Sequence, residues 1–344
     1  MKGGAGFPFG WTLVGLGVLI VSILAGVTTG AASVSALDIG RHALGLLPVG
    51  VESPLTERQE ALLVELRLPR VVMGALVGAL LATAGGAYQG VFRNPLADPF
   101  LLGAAAGAGL GATLVMVFGA EFFASPRTMI PVAAFLGALL GVVAAYLLGS
   151  TAGGGGTAAL LLAGVAVSSF LSAVQTLVQQ MGVDQLQRIY SWLLGGLGRG
   201  GWDDVRLVLP YAAVGLTVLL ACGYLLDMLA LGDDKAVSLG LNPVMVRLVV
   251  ISAASLATAA AVSVSGLIGF VGIVVPHIVR RLVGSNYRAI LPITVLFGGA
   301  FMVLVDIVAR TIVSPAELPI GVVTAFLGAP FFLLILRTTR HRST

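Results

Sequence analysis

The chain contains ten apolar segments of roughly bilayer-spanning length, and the loops between them carry nearly all of the charges. A hydrocarbon core about 30 Å thick needs about 20 apolar residues per helix. The 58% hydrophobic content of the 344 residues is sufficient for ten such helices. Strands are excluded because the segments lack the alternation of a membrane barrel and are about twice as long as its strands. We therefore expect an all-α integral membrane protein with about ten transmembrane helices.

The predicted spans have the approximate limits 11–30, 71–89, 101–118, 131–149, 158–180, 207–226, 246–264, 267–279, 290–312 and 321–337. The chain is almost continuously apolar from Val246 to Val279, where residues 263–266 and Pro276 interrupt it. We divide this stretch into two short or partly broken helices, a feature typical of transporter pathways. Residues 1–344 are expected to form a single transmembrane domain.

Composition excludes several classes of protein. Charged residues make up 10% of the chain, against roughly 25% in soluble domains. The net charge of +4 comes from scattered arginines without the basic run of a nucleic-acid surface. The three histidines are far apart, and no Cys or carboxylate stands at metal-ligand spacing from them. We expect no nucleic-acid partner, no metal site, no cofactor and no catalytic residues.

The two lysines bear on the energy source. Neither Lys2 nor Lys235 follows the glycine pattern of a phosphate-binding loop. If ATP drives this protein, another subunit must bind it.

Basic residues predict the orientation in the membrane. An even number of spans places both ends on one side, and Arg337, Arg340 and Arg342 mark that side as cytoplasmic. We therefore expect both termini in the cytoplasm, with long outer loops at about 31–70 and 181–206.

Small residues recur at four-residue spacing in several spans. The series are Gly74 and Gly78; Gly103, Gly107 and Gly111; and Gly137 and Gly141. Such spacing allows helix backbones to approach closely in a membrane. We expect close helix pairs at these positions.

A short segment at 231–243 differs from an ordinary turn. Asp233 and Asp234 are expected to cap a short helix and suit its positive end. Gly240 suits its C-terminal cap, and Asn242 followed by Pro243 ends it. A short capped helix on the cytoplasmic face is suited to docking another subunit.

Several separated motifs together resemble the FecCD permeases, the type II importer subunits for vitamin B12, haem and ferric siderophores. The motifs are 67–70 (RLPR), Gln89 with 92–99 (FRNPLADP), 160–166 (LLLAGVA), 192–197 (WLLGGL), 269–272 (GFVG), 275–277 (VPH) and 317–324 (ELPIGVVT). The resemblance covers about residues 60–337. It implies a vitamin B12 importer permease-like fold, as a homodimer or a dimer with a close paralogue, around a central pathway. It also implies two ATP-binding-cassette ATPase subunits on the cytoplasmic side and an extracytoplasmic substrate-binding protein.

The same resemblance implies docking arginines. In such permeases, arginines on the outer rim pair with glutamates of the binding protein, and Arg67, Arg70 and Arg310 match these positions. The alternative is that they anchor helices at the membrane interface, with Arg310 paired to Asp306 at i, i+4 spacing.

Two further sites are implied. The segment 232–240 resembles the coupling helix that fits a cleft of each ATPase, through Asp233, Asp234, Lys235, Ala236, Leu239 and Gly240. Asn94, Leu96 and Thr157 fall where the family narrows its cytoplasmic exit. Some members have two adjacent hydroxyl residues where this chain has Thr157 followed by Ala158.

The expected function is therefore the permease subunit of an ATP-driven importer in the bacterial cytoplasmic membrane, with a ferric siderophore favoured over haem or cobalamin as cargo. The alternative is a proton- or sodium-coupled secondary transporter acting alone. Such a transporter needs an ionisable residue at bilayer depth, and Asp306 is the main candidate. An intramembrane enzyme is not favoured, since His277 with Ser263 or Ser265 is a poor catalytic constellation.

Overall fold

The computed structural model describes residues 7–30, 35–45, 53–151, 156–198 and 200–340, and all regular structure in these ranges is helical. The α-helices are α1 (Phe9–Thr28), α2 (Ala36–Gly45), α3 (Glu57–Ala61), α4 (Leu68–Phe92), α5 (Ala104–Phe122), α6 (Pro126–Thr151), α7 (Thr157–Met181), α8 (Leu186–Leu193), α9 (Trp202–Ala221), α10 (Gly223–Leu229), α11 (Asp233–Ser238), α12 (Pro243–Ser265), α13 (Val271–Val283), α14 (Tyr287–Thr311) and α15 (Ile320–Arg340). A π-helical turn, Leu62–Arg67, joins α3 to α4, and a 3-10 turn, Val183–Gln185, precedes α8. The all-α prediction is confirmed.

Each of the ten predicted spans overlaps a helix. Within the described ranges, eight helices are long and apolar enough to cross a membrane, including α1, α5, α6, α7, α9, α12, α14 and the continuous helix that contains α4. The predicted eighth and tenth spans correspond to α13, with 13 residues, and α15, with 21 residues. Arg342, used above for orientation, lies outside the described residues, as does Lys2.

The second span begins earlier than predicted. The chain is helical without interruption from Glu57 to Phe92, over 36 residues. A capping box starts it: Gln59 N donates to Thr56 Oγ1, while Thr56 N donates to Gln59 Oε1 at 3.0 Å. The expectation of a loop before residue 71 was therefore wrong, and Arg67 and Arg70 lie on a helix.

The sixth predicted span is also displaced. It was placed at 207–226, whereas α9 begins at Trp202 and ends at Ala221, followed by the separate helix α10. Asp203 and Asp204 occupy the first turn of α9. Carboxylates are stabilising there because they face the positive end of the helix, which explains the early start.

The break in the predicted seventh and eighth spans is confirmed at Gly266, but the second helix was misplaced. It begins at Val271 instead of 267 and continues through Pro276 to Val283. Proline removes the bond to the carbonyl four residues earlier, here that of Gly272. Gln89 Nε2 donates to the Gly272 oxygen at 3.2 Å. A side chain of α4 thus satisfies the carbonyl that Pro276 leaves free, and the helix persists.

Helices α4 and α12 lie at the centre of the bundle, since 83% and 78% of the residues in their apolar 18-residue stretches are buried. Close backbone contacts surround them. A Cβ on Gly107 of α5 would lie 2.1 Å from the Gly137 oxygen of α6, and one on Gly78 of α4 would lie 2.1 Å from the Gly298 oxygen of α14. The close packing predicted from the small residues is confirmed at these pairs.

The bundle has two ends, named here by their ion pairs. At the Arg70 end, α4 begins and α14 ends, joined by the Arg70–Asp306 pair. At the Asp233 end, α4 ends and α12 begins, both bound to Asp233 through Arg93 and Arg247. Helix α1 ends and α15 begins at the Arg70 end. The start of α1 and the end of α15 therefore lie toward the Asp233 end.

Candidate functional sites at the two ends of the bundle

Arg70 lies between two carboxylates from distant parts of the chain. Its Nε donates to Asp306 Oδ1 at 3.0 Å, and its Nη1 donates to Glu317 Oε1 at 2.8 Å. Nη2 donates to both carboxylates, at 2.9 Å each. The Arg70 and Asp306 side chains are 15% and 3% exposed, whereas Glu317 is 50% exposed. The guanidinium group therefore links a buried carboxylate on α14 to a half-exposed one in the loop before α15.

Arg67 and Arg310 are directed at the end of α1. Arg67 is buried, and its Nη1 donates to the Val27 oxygen at 3.2 Å. Arg310 Nη2 donates to the Gly26 oxygen. The last carbonyls of a helix lack partners within the helix, and cations there also face its negative end. These two arginines therefore fix the last turn of α1 against α4 and α14.

Arg310 also confirms the pair suggested by its spacing. Its Nε lies 3.5 Å from Asp306 Oδ2, four residues earlier on α14. Asp306 is thus shared by Arg310 and Arg70.

The three predicted docking arginines line one recess of about 490 Å³, together with Glu317 and Thr311. With Asp306, this cluster contains three guanidinium groups and two carboxylates, an excess of one positive charge. Hydrogen bonds from Arg70 hold the pKa of Glu317 below its usual range. The structure brings the arginines together, and it also gives each of them bonds within the chain.

At the opposite end, Asp233 is held by two arginines. Arg247 Nη2 donates to both of its carboxylate oxygens at 2.7 Å, and Arg93 Nη2 donates to Oδ1. The hydrogen bonds from Arg247, followed by the charges of both arginines, lower the pKa of Asp233. Asp233 does not cap its helix as predicted, because Gly232 is the N-cap and no side chain bonds there. The carboxylate instead connects α11 to the end of α4 and the start of α12.

The end of α11 follows the prediction. Gly240 has a φ of 83°, and Leu241 N donates to the Ala236 oxygen at 2.9 Å. Asn242 Oδ1 then caps α12 by accepting from Met245 N at 3.1 Å. Ala236 is fully buried. Exposed apolar side chains surround α11 on its other side, namely Leu231, Val237, Leu239, Val244 and Met245.

The residues predicted for the exit gate lie on separate elements. Asn94 and Leu96 are in the turn after α4, where Asn94 Oδ1 accepts from Leu96 N at 3.0 Å. Thr157 is the first residue of α7, and residues 152–155 before it lie outside the described ranges. The turn continues into the protein interior, since a Cβ on Gly272 would lie 2.6 Å from Pro99 Cδ. Irregular backbone is therefore buried against α13 here, as a membrane protein requires.

Sequence reasoning did not assign Glu317 or Arg247 to a site. Glu317 was noted only within the 317–324 motif. Arg70 is 247 positions from Glu317, so no local spacing indicates this contact. In the described ranges, no group of three or more His, Cys, Asp or Glu could hold a metal ion.

The sequence model that describes the FecCD transport family matches residues 18–338 of this chain. The chain is 39% identical to the ABC transporter permease protein YvrB of Bacillus subtilis, over 96% of this chain and 94% of that protein. It is 40% identical to the cobalamin import system permease protein BtuC of Halobacterium salinarum, over 83% and 76% of the two chains. A solved inward-facing structure of a metal-chelate type ABC transporter is 30% identical, with a TM-score of 0.82 over 96% of this chain and 98% of that chain. On these matches, the chain belongs to the FecCD transport family.

Proposed function

We propose that this chain is the permease subunit of an ATP-binding-cassette importer that carries an iron chelate across the bacterial cytoplasmic membrane. The observation that carries the proposal is the similarity to the metal-chelate type transporter along almost the whole chain. A ferric siderophore is the favoured cargo. Haem and cobalamin remain within the same class, and the similarity to a cobalamin permease supports testing cobalamin.

The permease makes and breaks no bond in this proposal, and two separate ATPase subunits hydrolyse ATP at the Asp233 end. The segment 231–243 presents exposed Val237 and Leu239 to the ATPase, while its buried Ala236 packs on the bundle. Asp233 transmits movement of α11 to α4 and α12, because its carboxylate is bonded to an arginine from each region. These are the two most buried spans, so their displacement alters the packing of the whole bundle.

The Asp233 end faces the cytoplasm in this proposal, with both termini on that side. The described residues at this end include several basic side chains near the ends of helices, as the positive-inside rule favours. They are Arg93, Lys235, Arg247, Arg280, Arg281 and Arg288. Asn94, Leu96 and Thr157 then belong to the cytoplasmic exit.

The Arg70 end receives the binding protein. The recess lined by Arg67, Arg70 and Arg310 has one excess positive charge, which suits glutamates on the partner. Charge complementarity of this kind mainly sets the association rate and the register of docking. A second permease subunit, most simply an identical copy, covers the apolar side chains that α7 and α15 expose, such as Leu162, Phe170 and Phe326.

The alternative of a secondary transporter acting alone is not supported. The similar proteins described above are an ABC transporter permease and an ABC transporter of known structure. Asp306, its candidate ion-coupling residue, is bonded to Arg70 and paired with Arg310.

Uptake in proteoliposomes tests the proposal. The permease is reconstituted with its genomically neighbouring ATPase and binding protein, and accumulation of labelled ferric siderophore, haem or cobalamin is measured with and without ATP. We expect uptake of one of these cargoes only when all components and ATP are present. Accumulation by the permease alone would contradict the proposal.

A further inference from the structure

A recess separate from the Arg70 cluster opens at the same end of the bundle. It has a volume of about 720 Å³ and lies among α5, α6, α8, α9 and α12. Its apolar wall includes Met116, Ile130, Leu207 and Val264. The start of α9 places it at the Arg70 end, since Trp202 Nε1 donates to the Val64 oxygen at 2.8 Å just before α4. Gly200 borders both recesses, so the two are neighbours.

The polar side of the recess has charges of both signs. Arg127 and Arg188 line it, and within the described ranges neither forms an ion pair. Asp204 is half-buried and likewise has no ion pair within those ranges, whereas the adjacent Asp203 is paired with Arg206 at 3.0 Å. The Asp204 carboxylate is folded over the backbone, because a Cβ on Gly200 would lie 1.7 Å from its Oδ2. The recess thus offers two cations and one anion without described charge partners.

The surroundings of the recess are apolar and exposed. Leu136 and Leu140 on α6, and Leu209 and Val214 on α9, are all exposed. Helices α6 and α9 therefore present hydrocarbon-facing surfaces beside the recess. A water-soluble ligand would gain nothing from contact with these apolar side chains, whereas the acyl chains of a lipid would pack against them.

A second, separate cleft lies further along α6. It has a volume of about 250 Å³ between α6 and α12 and includes Leu139 and Tyr146. Pro131 of the recess and these two residues lie on one face of α6 at helical spacing. Phe135 lies between them and contacts Tyr211 with ring centroids 4.9 Å apart. At a rise of 1.5 Å per residue, Pro131 to Tyr146 covers about 22 Å, more than the about 15 Å of one leaflet.

We propose that this recess binds the headgroup of a zwitterionic phospholipid with a primary ammonium group, of the phosphatidylethanolamine class. Arg127 and Arg188 bind the phosphate through charge-assisted hydrogen bonds. Asp204 accepts from the ammonium group, and an acyl chain follows the groove between α6 and α12. The proposal is independent of the transported cargo.

Native mass spectrometry of the purified, full-length permease in detergent tests this assignment. Phosphatidylethanolamine or phosphatidylglycerol with identical acyl chains is added, and the bound fraction is measured. We expect the wild type to retain more phosphatidylethanolamine. Asp204→Asn should reduce its binding about tenfold and abolish the preference, whereas Arg127→Gln with Arg188→Gln should reduce binding of both lipids about tenfold.

Two exposed charges at the same end provide matched controls. Arg58→Gln and Asp184→Asn remove an arginine and a carboxylate that do not line the recess, and both variants should bind lipid as the wild type does. Equal binding of the two lipids to the wild type, or equal losses in the control variants, would overturn the proposal. A recess variant that loses binding-protein affinity in surface plasmon resonance but keeps its lipid preference would also overturn it, because the occupant would then be a protein.

Discussion

The two ends of the bundle use the same chemistry in different environments. At the Arg70 end, the central pair is almost fully buried, with Asp306 only 3% exposed. At the Asp233 end, the central carboxylate is 43% exposed and only its partner Arg247, at 9%, is buried. Breaking a buried pair leaves an uncompensated charge out of water, whereas an exposed pair is screened by solvent. The Arg70 end is therefore suited to holding α1, α4 and α14 together, and the Asp233 end to movement.

Asp306→Asn should have the largest effect, because it leaves Arg70 and Arg310 buried without their shared carboxylate. We expect the free energy of unfolding to fall by about 3–5 kcal/mol. Denaturant unfolding in detergent measures it, with Asp184→Asn as the exposed control. A loss no greater than that of the control would contradict the contrast between the two ends.

The two arginines at Asp233 should differ from each other. Arg247→Gln removes a buried guanidinium together with its two hydrogen bonds to Asp233. It should lower the free energy of unfolding by about 1–3 kcal/mol. Arg93→Gln removes a more exposed partner and should lower it by less than about 1 kcal/mol. If α11 is the coupling segment, both variants should also reduce ATP-driven uptake more than ATPase binding. Equal stability losses would show that burial does not separate the two contacts.

Glu317→Gln separates docking from structure at the Arg70 end. Glu317 is half-exposed, so its loss should change the free energy of unfolding by less than about 1 kcal/mol. It raises the excess positive charge of the recess, so an acidic binding protein should associate a few-fold faster at low salt. Surface plasmon resonance at two salt concentrations measures this rate. Reversal of Arg67 or Arg70 is less informative, since it would also break contacts within the chain.

The smallest effect concerns pH at the exposed end. Because the pKa of Asp233 in the folded protein lies below its ordinary value of 3.8, its ion pairs contribute stability above about pH 4. That stability is lost as the pH falls through the lowered pKa. We expect the unfolding midpoint of the wild type to be closer to that of Asp233→Asn at pH 3 than at pH 7. A constant difference between them would exclude a contribution from this carboxylate.

Hydropathy predicted the membrane helices because the bilayer imposes a length and a composition on each of them. The same reasoning did not locate their ends. The helix that contains Arg67 and Arg70 starts at Glu57 because Thr56 and Gln59 form a capping box. The sequence contains this signal, but the polar residues that follow it favoured the prediction of a loop. Pro276 was expected to interrupt its helix, and only the hydrogen bond from Gln89 to the Gly272 oxygen shows why it does not.

The sequence by itself determined the all-helical membrane class, the approximate position of every span, the close glycine contacts and the C-terminal end of α11, since each depends on neighbouring residues or on a helical period. The tertiary structure alone decided that Arg70 lies between Asp306 and Glu317, at separations of 236 and 247 positions, and that Arg93 and Arg247 share Asp233. Charge pairing over such distances depends on which helices pack together. That choice results from the shape and burial of the whole bundle, and no local pattern encodes it.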